Sequence, residues 1–152
     1  MIKGDLYLKN NLEGMNNDEL ILYIYQEMLR VLNQTSYYFE NNDIENRVNG
    51  INKGIEVLNA LISILNFEAG GEIAVRLRSL YVYSIKRLTA ANFERDPKPI
   101  AEVIRIFRDL HSGWSQKIEN DRKTTTSTRN INLPSVQDSQ RKSSLSGLEL
   151  YG

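Results

Sequence analysis

The sequence predicts an all-α fold, an antiparallel four-helix bundle with an irregular amino-terminal strap and a disordered carboxy-terminal tail. Three features carry this expectation. Apolar residues recur at steps of three and four in four separate stretches, the period of a helix with one buried face. The stretches are roughly 20 residues long with short polar or proline-containing links, which makes consecutive helices antiparallel neighbours. With 152 residues, 41% of them apolar and 25% charged, the chain can enclose one core. The expected division is a strap over 1–15, a bundle over 16–121 and a disordered tail over 122–152.

Each element has its own signal. At the amino terminus Leu6, Tyr7, Leu8 and Leu12 stand in a polar setting between Gly4 and Gly14. A frayed end does not need so many apolar groups, so a strap lying on the body fits the pattern equally well. Asn16 with Glu19 forms an Asn version of the capping box, and Asp18 complements the helix dipole. The first helix follows, with Ile21, Ile24, Tyr25, Met28, Leu32 and Phe39 on one side, and should stop near Asn41.

The second helix should start near Asn42, again with a glutamate, Glu45, three residues on. Ile44, Val48, Ile51, Ile55, Leu58, Ile62 and Leu65 form a core stripe. Gly50, Gly54, Val57, Leu61 and Ile64 form a second apolar line about 100° away. The remaining face, from Glu45 through Asn52 and Asn59 to Asn66, is polar. An edge helix needs one stripe. Two stripes mean either a central helix touching two neighbours or a core stripe beside a partner-binding groove.

Gly70 and Gly71 should break the chain before a third helix begins at Glu72. Its buried face reads Ile73, Leu77, Leu80, Tyr81, Ile85, Leu88 and Ala91. After the loop Asn92–Lys98, Asp96 can cap a fourth helix, and Pro97 or Pro99 fits its first turn. Ile100, Val103, Ile104, Phe107, Leu110, Trp114 and Ile118 mark its core side, and it should fade near Asn120. From Arg122 onward the composition turns to Ser, Thr, Asn and Gln. That stretch cannot bury enough apolar surface to offset the entropy of ordering it.

Composition narrows the function. Net charge is zero, which argues against a general nucleic-acid binder or membrane-surface protein. The zero sums −3 up to Asp121 (14 basic, 17 acidic) and +3 beyond it (five basic, two acidic). There is no cysteine, hence no disulfide, thiolate metal site or Cys nucleophile. The start has no apolar run of signal-peptide length, and no run approaches a membrane span, so a cytoplasmic location without membrane insertion is expected. The sole histidine, His111, cannot furnish the two Glu-x-x-His motifs of a di-iron bundle. No phosphate-binding glycine loop or hydrolase motif is present. Arg105 and His111 share the Arg-x5-His spacing of small helical ribonucleases, but six residues on a helix turn about 600°, some 120° off a common face. No catalytic residue, cofactor or metal is expected.

Some of the wording is specific. The run GGEIA at Gly70–Ala74, the tyrosines Tyr81 and Tyr83, and Ala91–Asn92 resemble the flagellar export chaperones that bind flagellin. NNDELILYIYQEMLRVL at the first helix and Trp114 near the end of the last extend the likeness from Asn16 to about Lys117. Val82 and Ser84 depart from it, standing where the family usually has an acidic and an aliphatic residue.

The resemblance implies a non-catalytic chaperone. It would hold flagellin's carboxy-terminal segment, prevent premature polymerisation, and deliver the client to an export-gate component of the flagellar type III apparatus. Together with the second apolar stripe it points to Ile55, Val57, Leu58, Leu61, Ile62, Ile64, Leu77 and Tyr81 as the flagellin-binding surface. Leu6, Tyr7, Leu8 and Leu12 would be a lid over part of it. The alternatives are a helical adaptor that self-associates through the same stripe and, less favoured, a ribonuclease using Arg105 and His111.

Overall fold

The computed structural model describes residues 17–135, with side chains as far as Thr126. The strap 1–15, the cap residue Asn16 and residues 136–152 lie outside the described residues. Four helices follow in order: α1 (Asn17–Glu40), α2 (Ile44–Ser63), α3 (Phe67–Glu94) and α4 (Lys98–Ser135). Among the described residues there is no strand. The chain divides into two compact units, one ending at Trp114 and one beginning at Ser115.

The first unit is the bundle. Side-chain register shows that consecutive helices run antiparallel. Thr35 of α1 lies against Gly50 of α2, and Leu32, one turn back, lies beside Gly54, one turn on. On α3 and α4, Tyr81 stacks on Phe107, whereas Tyr83 and Arg87 reach back to Glu102. The core gathers Tyr25, Met28, Leu32, Ile51, Leu58, Leu61, Leu77, Tyr81, Leu88, Ala91, Ile100, Val103, Ile104 and Phe107 from all four helices. The two buried aliphatic hydroxyls beside it spend their hydrogens inside their own helices. Thr35 donates to the Val31 carbonyl and Ser84 to the Leu80 carbonyl, each at 2.8 Å.

Helix ends explain two departures from the sequence reading. Asn42 does not cap α2; it takes the left-handed conformation (φ 54°) that closes α1. There the Asp43 N–H reaches the Tyr38 carbonyl at 2.9 Å and the Asn42 N–H the Phe39 carbonyl at 3.3 Å, a Schellman closure. Asp43 is thereby free to cap α2, accepting from the Asn46 N–H. Ile44, expected in the core stripe, is then the first residue of the helix and is 63% exposed.

Asn66 caps α3, accepting from the Ala69 N–H at 3.0 Å, and one helical turn precedes the expected break. The break itself is a kink at Gly71, whose φ of 49° and ψ of −123° suit only glycine. Beyond it the buried series is Ala74, Leu77, Tyr81, Ser84, Leu88 and Ala91, alternating steps of three and four. Ile73 falls one position before that series and is largely exposed, contrary to expectation. Ala74 takes its place in the core.

Asp96 caps α4 as expected, accepting from the Lys98 N–H at 2.9 Å. The helix does not fade near Asn120 but continues to Ser135. Local bonds accompany the extension. Lys117 pairs with Asp121 one turn on, and the hydroxyls of Thr124, Thr125 and Thr126 each donate to the carbonyl four residues back. Residues 119–126 are solvent-exposed, so this part of the helix rests on its own backbone ladder.

The α1–α2 seam gives a paired prediction. A methyl at Gly50 would overlap the Thr35 hydroxyl, which is buried and already committed to Val31. At Gly54 the nearest atom is the mobile end of Leu88, 3.1 Å away. Gly50→Ala should therefore destabilise by about 1–3 kcal/mol through overpacking. Gly54→Ala should stay close to neutral, because a helix-propensity gain of about 1 kcal/mol offsets mild crowding. Parallel denaturant melts decide the matter, and equal midpoints would contradict this account of the seam.

Candidate functional site

The sequence-derived client residues do not share one environment. Leu58, Leu61, Leu77 and Tyr81 lie within the core, at most 8% exposed. Ile55, Val57 and Ile62 are half-buried and pack against it from the α2 side. Ile64, at the carboxy-terminal end of α2, is 43% exposed. Both apolar lines of α2 thus contribute to the core, as a helix with two neighbours requires, and what stays partly open is a rim on each flank, Ile55 and Ile62 on one side and Val57 and Ile64 on the other.

Tyr81 shows why the inner members have no free surface. Its hydroxyl lies 2.6 Å from that of Tyr25, and both rings are within the bundle. Phe107 stands edge-on to Tyr25 with centroids 5.5 Å apart and stacks on Tyr81 at 6.2 Å. Trp114 meets Tyr25 edge-on at 6.0 Å. Burial pushes both phenols above the usual tyrosine range, and for Tyr25 the neighbouring Tyr81 adds to the effect. The pair stays protonated, with one hydroxyl donating to the other. This cluster joins α1, α3 and α4 and supports the site without presenting a face to a ligand.

A second linkage holds α4 to α3 near the surface. Glu102 accepts from the Tyr83 hydroxyl at 2.7 Å and from the Arg87 guanidinium at 2.5 Å. Those two bonds hold the Glu102 carboxyl below the usual carboxylate range. Arg105 is exposed and His111 half-buried, and no hydrogen bond or ion pair joins them. The structure does not assemble them as an acid–base pair.

The open apolar surface includes residues outside the sequence-derived set. Phe67 (46% exposed), Ile73 (60%) and Val75 (55%) follow Ile64 across the α2–α3 junction and past the Gly71 kink. Ile73 was hidden by its place on an apparent core stripe. Phe67 stood just beyond a recognisable cap, Asn66, and that signal could have flagged an exposed aromatic at a helix start. The lid residues Leu6, Tyr7, Leu8 and Leu12 lie outside the described residues.

Among the described residues no helix is long and apolar enough to cross a membrane. Residues 3–121 match the family described as flagellar protein FliS. The chain belongs to that family. It is similar to the flagellar secretion chaperone FliS of Campylobacter jejuni, 31% identical over 115 residues that cover 76% of this chain and 90% of that one. The flagellar secretion chaperone FliS of Bacillus subtilis is 27% identical over 117 residues, covering 77% of this chain and 86% of its own. That of Salmonella typhimurium is 31% identical over 99 residues, covering 64% and 73%. The family match starts at residue 3, ahead of the described residues, runs through the bundle and α4 to Asp121, and leaves 122–152 outside it.

Proposed function

We propose that this chain is a cytoplasmic flagellin chaperone. It holds the apolar carboxy-terminal segment of flagellin, keeps it from polymerising, and hands it to a component of the flagellar export gate. Membership of the FliS family, over nearly the whole bundle, carries this reading. The physical mode is helix-in-groove: a client segment folds as a helix against the apolar edge, and its ordering cost keeps the complex releasable. On α2, Ile55 and Ile62 form one rim of that surface and Val57 and Ile64 the other, with Leu58, Leu61, Leu77 and Tyr81 as the floor between them. Leu6, Tyr7, Leu8 and Leu12 cover part of the edge when no client is bound, which protects an apolar patch from aggregation.

Titrating the full chain with a flagellin carboxy-terminal peptide tests the reading directly. Saturable binding is expected, and Ile64→Glu should weaken it by about 2 kcal/mol while the melting temperature holds. Removing residues 1–15 should raise self-association of the free protein and leave peptide affinity level or higher. A wild-type chain that ignores the peptide but self-associates through this edge would overturn the proposal in favour of an adaptor. Much weaker binding after the truncation would make the strap a client contact and not a lid.

A further inference from the structure

The start of α3 carries the marks of two different backbones. Gly71 sits at φ 49° and ψ −123°, a conformation closed to residues with a side chain, although a Cβ there would meet open space. A methyl on Gly70 would lie 3.0 Å from the Ala74 methyl, nearer than packed carbons settle. In an unbroken helix, residues four apart hold their Cβ atoms about 5–6 Å apart. Both glycines therefore serve the kinked backbone, and a straight helix would be better with alanine at each. The apolar register says the opposite. The buried series Ala74, Leu77, Tyr81, Ser84, Leu88 and Ala91 alternates steps of three and four. Carried backward in the same alternation, it reaches Gly70 and Phe67. In a straight α3, Phe67 would stand two turns before Ala74 and within about 20° of the inward line. In the kinked helix it is 46% exposed.

We propose that Phe67–Gly70 is a one-turn flap that pivots at Gly71 between two arrangements. In the kinked one, Phe67 faces solvent at the α2–α3 junction. In the straight one, Gly71 takes helical angles, the first turn joins the rest of α3 without a break, and Phe67 swings onto the line of Ala74. The turn is built to move as a unit. Asn66 caps it, accepting from the Ala69 N–H at 3.0 Å, and the Gly70 N–H reaches the Asn66 carbonyl at 2.8 Å. The same cap serves the straight helix, because both arrangements begin at the same residue. The link Ile64–Asn66 between α2 and α3 takes up the displacement. The flap presents or withdraws one aromatic ring at the end of the bundle, independently of what the chain binds.

Nuclear magnetic resonance of the isotope-labelled full chain tests the pivot. Wild-type residues 67–73 should show microsecond-to-millisecond exchange in relaxation dispersion, the signature of a minor second conformer. Alanine at 71 is penalised in the kink and favoured in a helix, so Gly71→Ala should shift the ratio about thirtyfold or more toward the straight form. Its Cα shifts should then be helical without interruption from Phe67 to Ala74. Its melting temperature should rise or stay within about 3 °C of wild type. Gly70→Ala acts on the same balance by crowding Ala74, and its shifts should move in the same direction. A fixed kink gives a different result. If Gly71→Ala keeps the wild-type shifts around position 71, fails to fold, or melts lower by more than that margin, the proposal is overturned. A wild type without exchange at 67–73 overturns it as well. So does loss of helical shifts at 67–70 in both variants, which would mean a turn that frays and does not pivot.

Discussion

Replacing Leu61 with glutamate is expected to abolish the cooperative fold, with loss of most of the helical circular-dichroism signal at ambient temperature. Leu61 has no solvent exposure, and the apolar cluster around it contains no basic side chain. Removing the leucine from such a site costs about 2–5 kcal/mol, and an unpaired buried carboxylate adds several more. Together these reach the 5–15 kcal/mol or so that holds a typical domain together. Three residues on, Ile64 is 43% exposed, and glutamate there can keep its charge in water. The two substitutions should separate completely: one costs the fold, the other costs binding. A soluble Leu61→Glu protein with a sharp melting transition would mean that the inner line of α2 opens to solvent, contrary to the packing described.

Phe107→Ala should be the most damaging neutral change on α4. Phe107 is fully buried and touches aromatic rings on two other helices, Tyr25 edge-on and Tyr81 face-on. Deleting a buried phenylalanine costs about 3–5 kcal/mol through lost burial and the cavity left behind. For a bundle of this size that is a drop of roughly 10–20 °C in melting temperature. Phe107→Leu should recover more than half of the loss, because most of the volume returns while the ring contacts do not. A drop below about 1 kcal/mol for alanine would show that α4 closes onto α3 and fills the space.

Periodicity made the fold legible. Four stripes at steps of three and four correspond to four helices, and Asp96 and the Gly70–Gly71 break were readable from residue chemistry alone. Phase and end geometry were harder. Asn42 and Asp43 are both good caps, and only the left-handed closure of α1 decides that Asp43 takes the role. Ile73 and Ala74 compete for one inward position, and hydrophobicity favours the residue that in fact faces out. The extension of α4 past Asn120 has local bonds beside its backbone ladder, an ion pair and threonine hydroxyls turned back onto the helix, and composition reads that stretch as loop. For the candidate site, the apolar excess of α2 was visible. Which of its members are floor and which are rim was not, because a helical wheel cannot tell how closely two neighbours approach.

The placement of Trp114 has an optical consequence. It is the chain's single tryptophan, and it stands edge-on to Tyr25, 6.0 Å between ring centres, on a different helix. Excitation absorbed by a tyrosine passes to an indole at such separation before the tyrosine can emit. Indole emission in turn shifts to longer wavelength as water reaches the ring. The α1–α4 contact therefore carries its own colour signal. Transfer from Tyr25 to the indole is strongest while the two helices lie together and falls as they part, so loosening of α4 is readable without attaching any label to the protein.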